Sequence, residues 1–268
     1  MSMSIVAELR SFHRRRIDIP VDAHALVLDI GSGDKPHWRA DVLVERFPGA
    51  EHGAQRSGSA AARLDRPTFD ADAEALPFAD QSFDYVICSH VLEHVRHPDR
   101  VISEMMRVAP AGYIEVPEAA SAKIVDFPSH VWWCRLEDET LVFTAKQQPY
   151  FDADIERYLN ASGLRQPIAR LLDRRLEHRV IEFAWRGHAA HRVHGAVSDE
   201  LWAAAHASIS PHRGGDALAS RVATAVMTAP RRQQRRRKPV FFDEVVHPAA
   251  RTGRNEVLEP RLYRVRAP

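Results

Sequence analysis

Val27-Leu28-Asp29-Ile30-Gly31-Ser32-Gly33-Asp34-Lys35-Pro36 is the stretch that decides the fold of this chain. An apolar run carries an acid just before its end and then meets two glycines separated by one residue. This reads as a buried parallel strand entering a tight turn whose backbone can touch a ligand. A dinucleotide fingerprint would need a third glycine, G-x-G-x-x-G, to close a helix N-terminus on a pyrophosphate. Pro36 stands in that place. Asp29, at the carboxyl edge of the strand, repels phosphate and attracts a cation. An adenosyl ligand carrying an ammonium and a sulfonium suits such an edge better than one carrying phosphates.

Strands and helices alternate on both sides of this motif. Strands are expected over residues 25–30, 41–45, 68–71, 85–89 and 113–116, the last preceded by a break at Gly112 and closed by Pro117. The gap between the first two is near the lower limit for a right-handed crossover, so its helix should be a turn or two, opened by Pro36. Short helices are expected over 91–95 and over 100–108, where Val101, Met105 and Val108 recur at helical spacing. The alternation predicts an α/β fold, a Rossmann-like, doubly wound and mainly parallel sheet. Residues 1–23 are expected to form an N-terminal helical segment, 24–176 the core, and 177–268 a C-terminal hairpin and helical basic extension. Within the core, 49–66 reads as a loop and 118–150 as an aromatic-rich insertion. Further helices are expected over 5–17, 152–161, 199–208 and 217–227, and a hairpin over 177–194, split by Gly187.

At 268 residues the chain can bury the core of one α/β domain with an extension. Its 37 basic and 36 acidic side chains leave a net charge of +1, which argues against polyanion binding by the whole molecule. The last third is more basic. Cys88 and Cys134, without close spacing, suggest a reducing compartment. No stretch approaches the roughly 18–20 apolar residues that span a bilayer. Arg14-Arg15-Arg16 is not followed by an apolar segment of the secretory type. A cytoplasmic protein with no membrane span is the expectation.

Residues 24–117 resemble the class I S-adenosylmethionine-dependent methyltransferases, particularly those of small molecules. Val-Leu-Asp-Ile-Gly-Ser-Gly (27–33) is similar to the family's glycine-rich first motif. Glu45 ends the second strand, where the family keeps an acid for the ribose hydroxyls. Asp72-Ala73-Glu74-Ala75-Leu76-Pro77-Phe78 resembles the segment whose leading acid meets the adenine amino group. Residues 82–94, Ser-Phe-Asp-Tyr-Val-Ile-Cys-Ser-His-Val-Leu-Glu-His, resemble the fourth-strand motif. The resemblance implies S-adenosyl-L-methionine as cofactor, held by Asp29, Gly31, Ser32, Gly33, Glu45, Asp72, Ala73, Ser89 and His90. Chemistry supports these types. The glycines permit close backbone approach, Glu45 can accept two hydrogen bonds from a vicinal diol, and Asp72 can accept from an exocyclic amine. Lys35-Pro36, in place of the usual third glycine, puts the pose of the methionine tail in doubt and shortens the first helix.

His90, Glu93 and His94 share a helix face at i, i+3 and i+4. The spelling H-x-x-E-H is also that of an inverted zinc-protease motif, but the surrounding sequence belongs to another architecture. In the E-x-x-E-H clusters by which a few methyltransferases hold a metal, the first residue is an acid; here it is His90, and no further acidic ligand is evident. No metal is expected. His94 and His130 are the candidate general bases, because imidazole titrates near working pH.

Methyl transfer from a sulfonium needs in-line alignment more than side-chain chemistry, and a base only where the acceptor is a weak nucleophile. The expected partner is a small-molecule acceptor, such as a sugar or secondary metabolite. The insertion could supply a lid through Phe127, Trp132, Trp133 and Phe143, or these rings could pack the insertion onto the sheet. Two alternatives remain open: a cofactor-binding regulatory or partner protein without transfer activity, and an RNA methyltransferase using the basic run 231–238. Nucleic acid is not the expected partner, since the run lacks interleaved aromatics. Oligomeric state is not read from the sequence.

Overall fold

Ten strands are described: β1 (Val27–Ile30), β2 (Val42–Val44), β3 (Thr68–Asp70), β4 (Tyr85–Ser89), β5 (Ala111–Pro117), β6 (Trp132–Glu137), β7 (Thr140–Ala145), β8 (Val180–Arg186), β9 (His191–His194) and β10 (Leu262–Arg264). The helices are α1 (Pro98–Val108), α2 (Ala119–Ile124), α3 (Ala153–Ala161), α4 (Arg165–Leu172), α5 (Asp199–Ala207) and α6 (Phe242–Val245). The structure, a computed structural model, describes residues 19–33, 36–49, 62–207, 238–253 and 255–265. The helices expected over 5–17 and 217–227, and nearly all of the basic run, lie outside the described residues.

Seven strands form the main sheet in the order β10-β3-β2-β1-β4-β5-β8. All neighbours are parallel except β8, which runs antiparallel to β5. Alternate side chains fill two cores. Leu28, Ile30, Val42, Val44, Val86, Cys88 and Ile114 belong to one. Val27, Leu43, Tyr85, Ile87 and Tyr113 belong to the other. Burial on both faces is why these strands are apolar runs in sequence rather than alternations. The larger core is closed by Val101, Ile102, Met105 and Val108 of α1, by Phe242 and Val245 of α6, and by a second sheet, β6-β7-β9.

Several expectations are corrected. The described residues between β1 and β2 contain a turn and no helix. Side chains satisfy the backbone there instead: Asp29 Oδ2 accepts the His37 N–H at 2.7 Å, and buried Arg39 donates to the carbonyls of Ala25 (2.6 Å) and Asp22 (3.0 Å). The 118–150 insertion contains α2 and the β6–β7 hairpin. Its two-residue turn, Asp138-Glu139, has φ of +45° and +58°, the pattern of a type I′ turn built without glycine. The hairpin expected over 177–194 is not one. β8 pairs with β5 in the main sheet, while β9 runs parallel to β7 in the small sheet. Gly112 does not break the chain before β5 but lies inside it, paired with Val86 and Trp185.

The small sheet docks where the chain leaves β4. The Val131 N–H donates to the Glu93 carbonyl at 2.8 Å, and Trp132 Nε1 donates to the Val95 carbonyl at 2.8 Å. These bonds carry the segment before β6 to the carboxyl edge of the main sheet. Among the described residues no helix is long and apolar enough to cross a membrane.

Candidate functional site at the carboxyl edge of the sheet

In the glycine turn after β1 the Val91 side chain packs against Gly31. Gly31 and Gly33 have φ of +66° and +54°, and a Cβ on Gly31 would lie 2.3 Å from Val91 Cγ2. The Gly33 N–H donates to Glu45 Oε2 at 2.8 Å, which ties the turn to the end of β2. Asp29 and Glu45 are both buried. Asp29 Oδ2 accepts the His37 N–H, four residues past Gly33. Ser32 Oγ is buried without a hydrogen-bond partner among the described residues. A buried hydroxyl with no partner among the described residues is open to a polar ligand.

Asp72 and Ala73 follow β3 on the same edge. Asp72 Oδ1 caps the Glu74 N–H at 3.0 Å, and its other oxygen pairs with Arg46 at the surface. Ala73 is buried, and its N–H has no hydrogen-bond partner among the described residues. The segment is anchored from below: Glu74 Oε1 accepts the N–H groups of Arg96 (3.1 Å) and His97 (3.0 Å), and the Leu76 N–H donates to Glu104 Oε2 at 2.7 Å. The acid at 72 and the amide at 73 are therefore held on a rigid support. The turn after β1, the acid after β2 and the acid–amide pair after β3 thus fit a nucleoside with a charged tail.

Ser89 and His90 end β4 and enter a network the sequence did not suggest. Ser89 Oγ donates to Glu115 Oε1 at 3.1 Å, Tyr113 OH donates to Glu115 Oε2 at 2.9 Å, and His90 Nε2 lies 2.9 Å from Glu115 Oε1. His90 Nδ1 lies 3.1 Å from Glu93 Oε1. Partial loss of solvent opposes charge on the partly exposed His90, but hydrogen bonds to Glu115 and Glu93, with their charges, outweigh it and raise the imidazole to about 9. Burial raises the Glu115 carboxyl, and His90, Tyr113 and Ser89 together bring it below its ordinary value. Glu115 and Tyr113 were missed as site residues; an acid inside the apolar run Tyr113-Ile114-Glu115-Val116 was the available signal.

His94 and His130 are brought together, their rings edge to face with centroids 4.7 Å apart. His94 Nδ1 is 2.9 Å from the Ser129 carbonyl. Burial holds His130 well below the ordinary histidine value, helped by the charges of His94 and Lys146. His130 Nδ1 and Glu93 Oε2 are buried without partners among the described residues. Of the insertion's aromatics, Trp132 and Phe143 pack in the core. Phe127 is exposed, its ring 5.2 Å from that of His130, and Trp133 is half-buried beside Lys146.

Residues 28–115 match a family described as a methyltransferase domain. An uncharacterized methyltransferase of Mycolicibacterium gilvum is 39% identical over 100 residues, 34% of this chain and 37% of that protein. The ubiquinone/menaquinone biosynthesis C-methyltransferase of Cupriavidus necator is 32% identical over 123 residues, 43% of this chain and 46% of that protein. The solved structure of YcgJ from Bacillus subtilis aligns with 46% of this chain and 61% of its own, at 19% identity and a TM-score of 0.34. The chain thus spans less than half the length of these two curated relatives. The segment from β1 into β5, with its glycine turn and carboxyl-edge acids, is the part of this chain that matches the methyltransferase-domain family.

Proposed function

We propose that this protein transfers a methyl group from S-adenosylmethionine to a small-molecule acceptor. One observation carries the reading: the left-handed glycine turn, buried Glu45 and the Asp72–Ala73 pair stand at the ends of three adjacent parallel strands, with the turn bonded directly to Glu45. In this reading Asp29, Gly31, Ser32 and Gly33 meet the methionine part, Glu45 the ribose, Asp72 and Ala73 the adenine, and Ser89 and His90 the flank beside β4. The cofactor supplies an electrophilic methyl on a sulfonium. The chain's task is to hold the acceptor in line at about 3–3.5 Å from that carbon and to keep water away.

The acceptor we favour is a sugar or a secondary metabolite. The exposed Phe127 ring beside His130 offers a face on which such a molecule could stack, at the end of the sheet where the cofactor residues lie. Calorimetry of the full chain with S-adenosylmethionine and with its demethylated product tests the cofactor half. Saturable binding is expected, and Asp72→Ala should weaken it by about 1–3 kcal/mol, the scale of losing a buried polar partner. A labelled-methyl assay on an acceptor panel tests the transfer half. Absence of binding to folded protein would end the assignment; binding with no turnover on any acceptor would favour a regulatory role.

A further inference from the structure

The H-x-x-E-H spelling by itself offers no metal site, because His90 replaces the first acid and no further acidic ligand is evident, but a histidine distant in sequence can serve in its place. The fold supplies one. β6 docks on the turn after β4 through the Val131 N–H to the Glu93 carbonyl, and this sets His130 beside residues that are distant in sequence. One ligand atom each from Glu93, His94 and His130 lie within 4.8 Å of one another. We infer that these three side chains form a binding site for a first-row divalent cation, zinc being the best chemical match.

The surroundings are those of a prepared site. Glu93 is fully buried, and its Oε2 has no partner among the described residues. His130 Nδ1 is likewise buried and unpartnered. Two such atoms, on residues of one cluster, are costly unless something binds them. Each of the other contacts is what a ligand needs from its support. His94 turns Nδ1 to the Ser129 carbonyl, so that nitrogen carries the proton and Nε2 is left with a lone pair. Glu93 Oε1 is oriented by His90 Nδ1 at 3.1 Å. His90 itself, engaged by Glu93 and Glu115, is a support rather than a ligand.

Two imidazoles and one carboxylate are the donor set of catalytic zinc, with one position left for an oxygen of water or substrate. Calcium and magnesium prefer all-oxygen sites and fit poorly. Bonds of about 2 Å would bring the ligand atoms to about 3.4 Å from one another, a contraction within reach of side-chain rotation. The site lies on the flank of β4 proposed above for cofactor and acceptor. Cation binding goes beyond the methyl-transfer reading and does not depend on it; only the role of the fourth position does.

The test uses the full chain, purified without a histidine tag, stripped with chelator and titrated with Zn²⁺ or Co²⁺ alone. One cation per chain is expected, with a visible Co²⁺ band of four- or five-coordinate intensity. Glu93→Gln and His130→Gln should each weaken binding by more than the roughly 10–100-fold typical of losing an outer-shell partner. His188→Gln, at an exposed histidine, should leave it unchanged. His130→Gln carries the test if the Glu93 variant does not fold. Binding no tighter in the wild type than in His130→Gln, or equal loss in His188→Gln, would overturn the site. Calorimetry with S-adenosylmethionine on the same metal-free protein separates this outcome from failure of the proposed function.

Discussion

His90 is fastened to Glu115 twice, by its N–H to the Glu115 carbonyl at 2.8 Å and by Nε2 to the Glu115 carboxylate at 2.9 Å. The double hold matters because His90 has φ of +56°, a region that non-glycine residues seldom occupy. A sharp reversal at the end of β4 aims the chain toward Glu93 and His94. The backbone strain is thus matched by contacts to the neighbouring strand.

Glu115→Ala removes the acceptor for Ser89, Tyr113 and His90 together. Breaking a buried ion pair costs about 3–5 kcal/mol; since His90 is partly exposed, the lower end is expected, about 3 kcal/mol. Glu115→Gln, which keeps one acceptor oxygen, should cost less. Urea unfolding measures both. A loss under about 1 kcal/mol in Glu115→Ala would mean that the network is not what holds the turn.

The glycine turn makes a separable prediction. Gly31→Ala meets two costs: the left-handed backbone, about 1–2 kcal/mol, and the contact with Val91. Adding Val91→Ala should relieve only the second. A double-mutant cycle is therefore expected to show favourable coupling of about 0.5–1.5 kcal/mol, with a residual penalty from the backbone. Zero coupling would place the Val91 side chain elsewhere; complete recovery would remove the backbone cost.

How much of this was legible in the sequence depended on whether the partner was local. β1 and β4 could be read because strands buried on both faces are continuous apolar runs, and the turn after β1 because glycines stand at 31 and 33. The acids at 29, 45 and 72 stand at or just beyond strand ends, where the family resemblance singled them out as candidates. Glu115 could not be assigned a role, because its partners come from β4 and from its own strand and nothing in its neighbours names them. The Asp138-Glu139 turn lacked glycine and hid the β6–β7 hairpin. Conversely, Gly187 between two short strands looks like a hairpin, yet β8 and β9 find their partners in different sheets. Pairing with β5, which is more than sixty residues earlier, was decided by long-range packing rather than by the turn.

Gly112 shows the same point energetically. An added Cβ would sit 2.6 Å from the Val86 carbonyl oxygen and 2.8 Å from the Trp185 ring. The backbone atom cannot rotate away, and the ring is packed in the core. Gly112→Ala is expected to cost about 3 kcal/mol, the upper part of the usual range for overpacking. Trimming the ring, as in Trp185→Leu, should not rescue it, because the carbonyl contact persists. Rescue by that second change would show the ring to be the main obstacle.

Lys146 and Asp126 form a buried ion pair at 2.8 Å, with Lys146 also donating to the Pro149 carbonyl at 2.8 Å. Asp126 accepts the N–H groups of Phe127 (2.7 Å) and Phe151 (2.8 Å), so the pair closes the loop after β7 onto the segment before β6. Burial pushes the lysine down and the aspartate up, against their mutual attraction. The pair should therefore add little net stability while making each partner dependent on the other. Lys146→Met is expected to cost about 3–5 kcal/mol, since it leaves a buried carboxylate without its cation. Adding Asp126→Asn should return about 1–3 kcal/mol of that loss, measured as coupling in urea unfolding. Additive losses would mean that each side chain acts through its backbone hydrogen bonds alone, with no contribution from the pairing of charges.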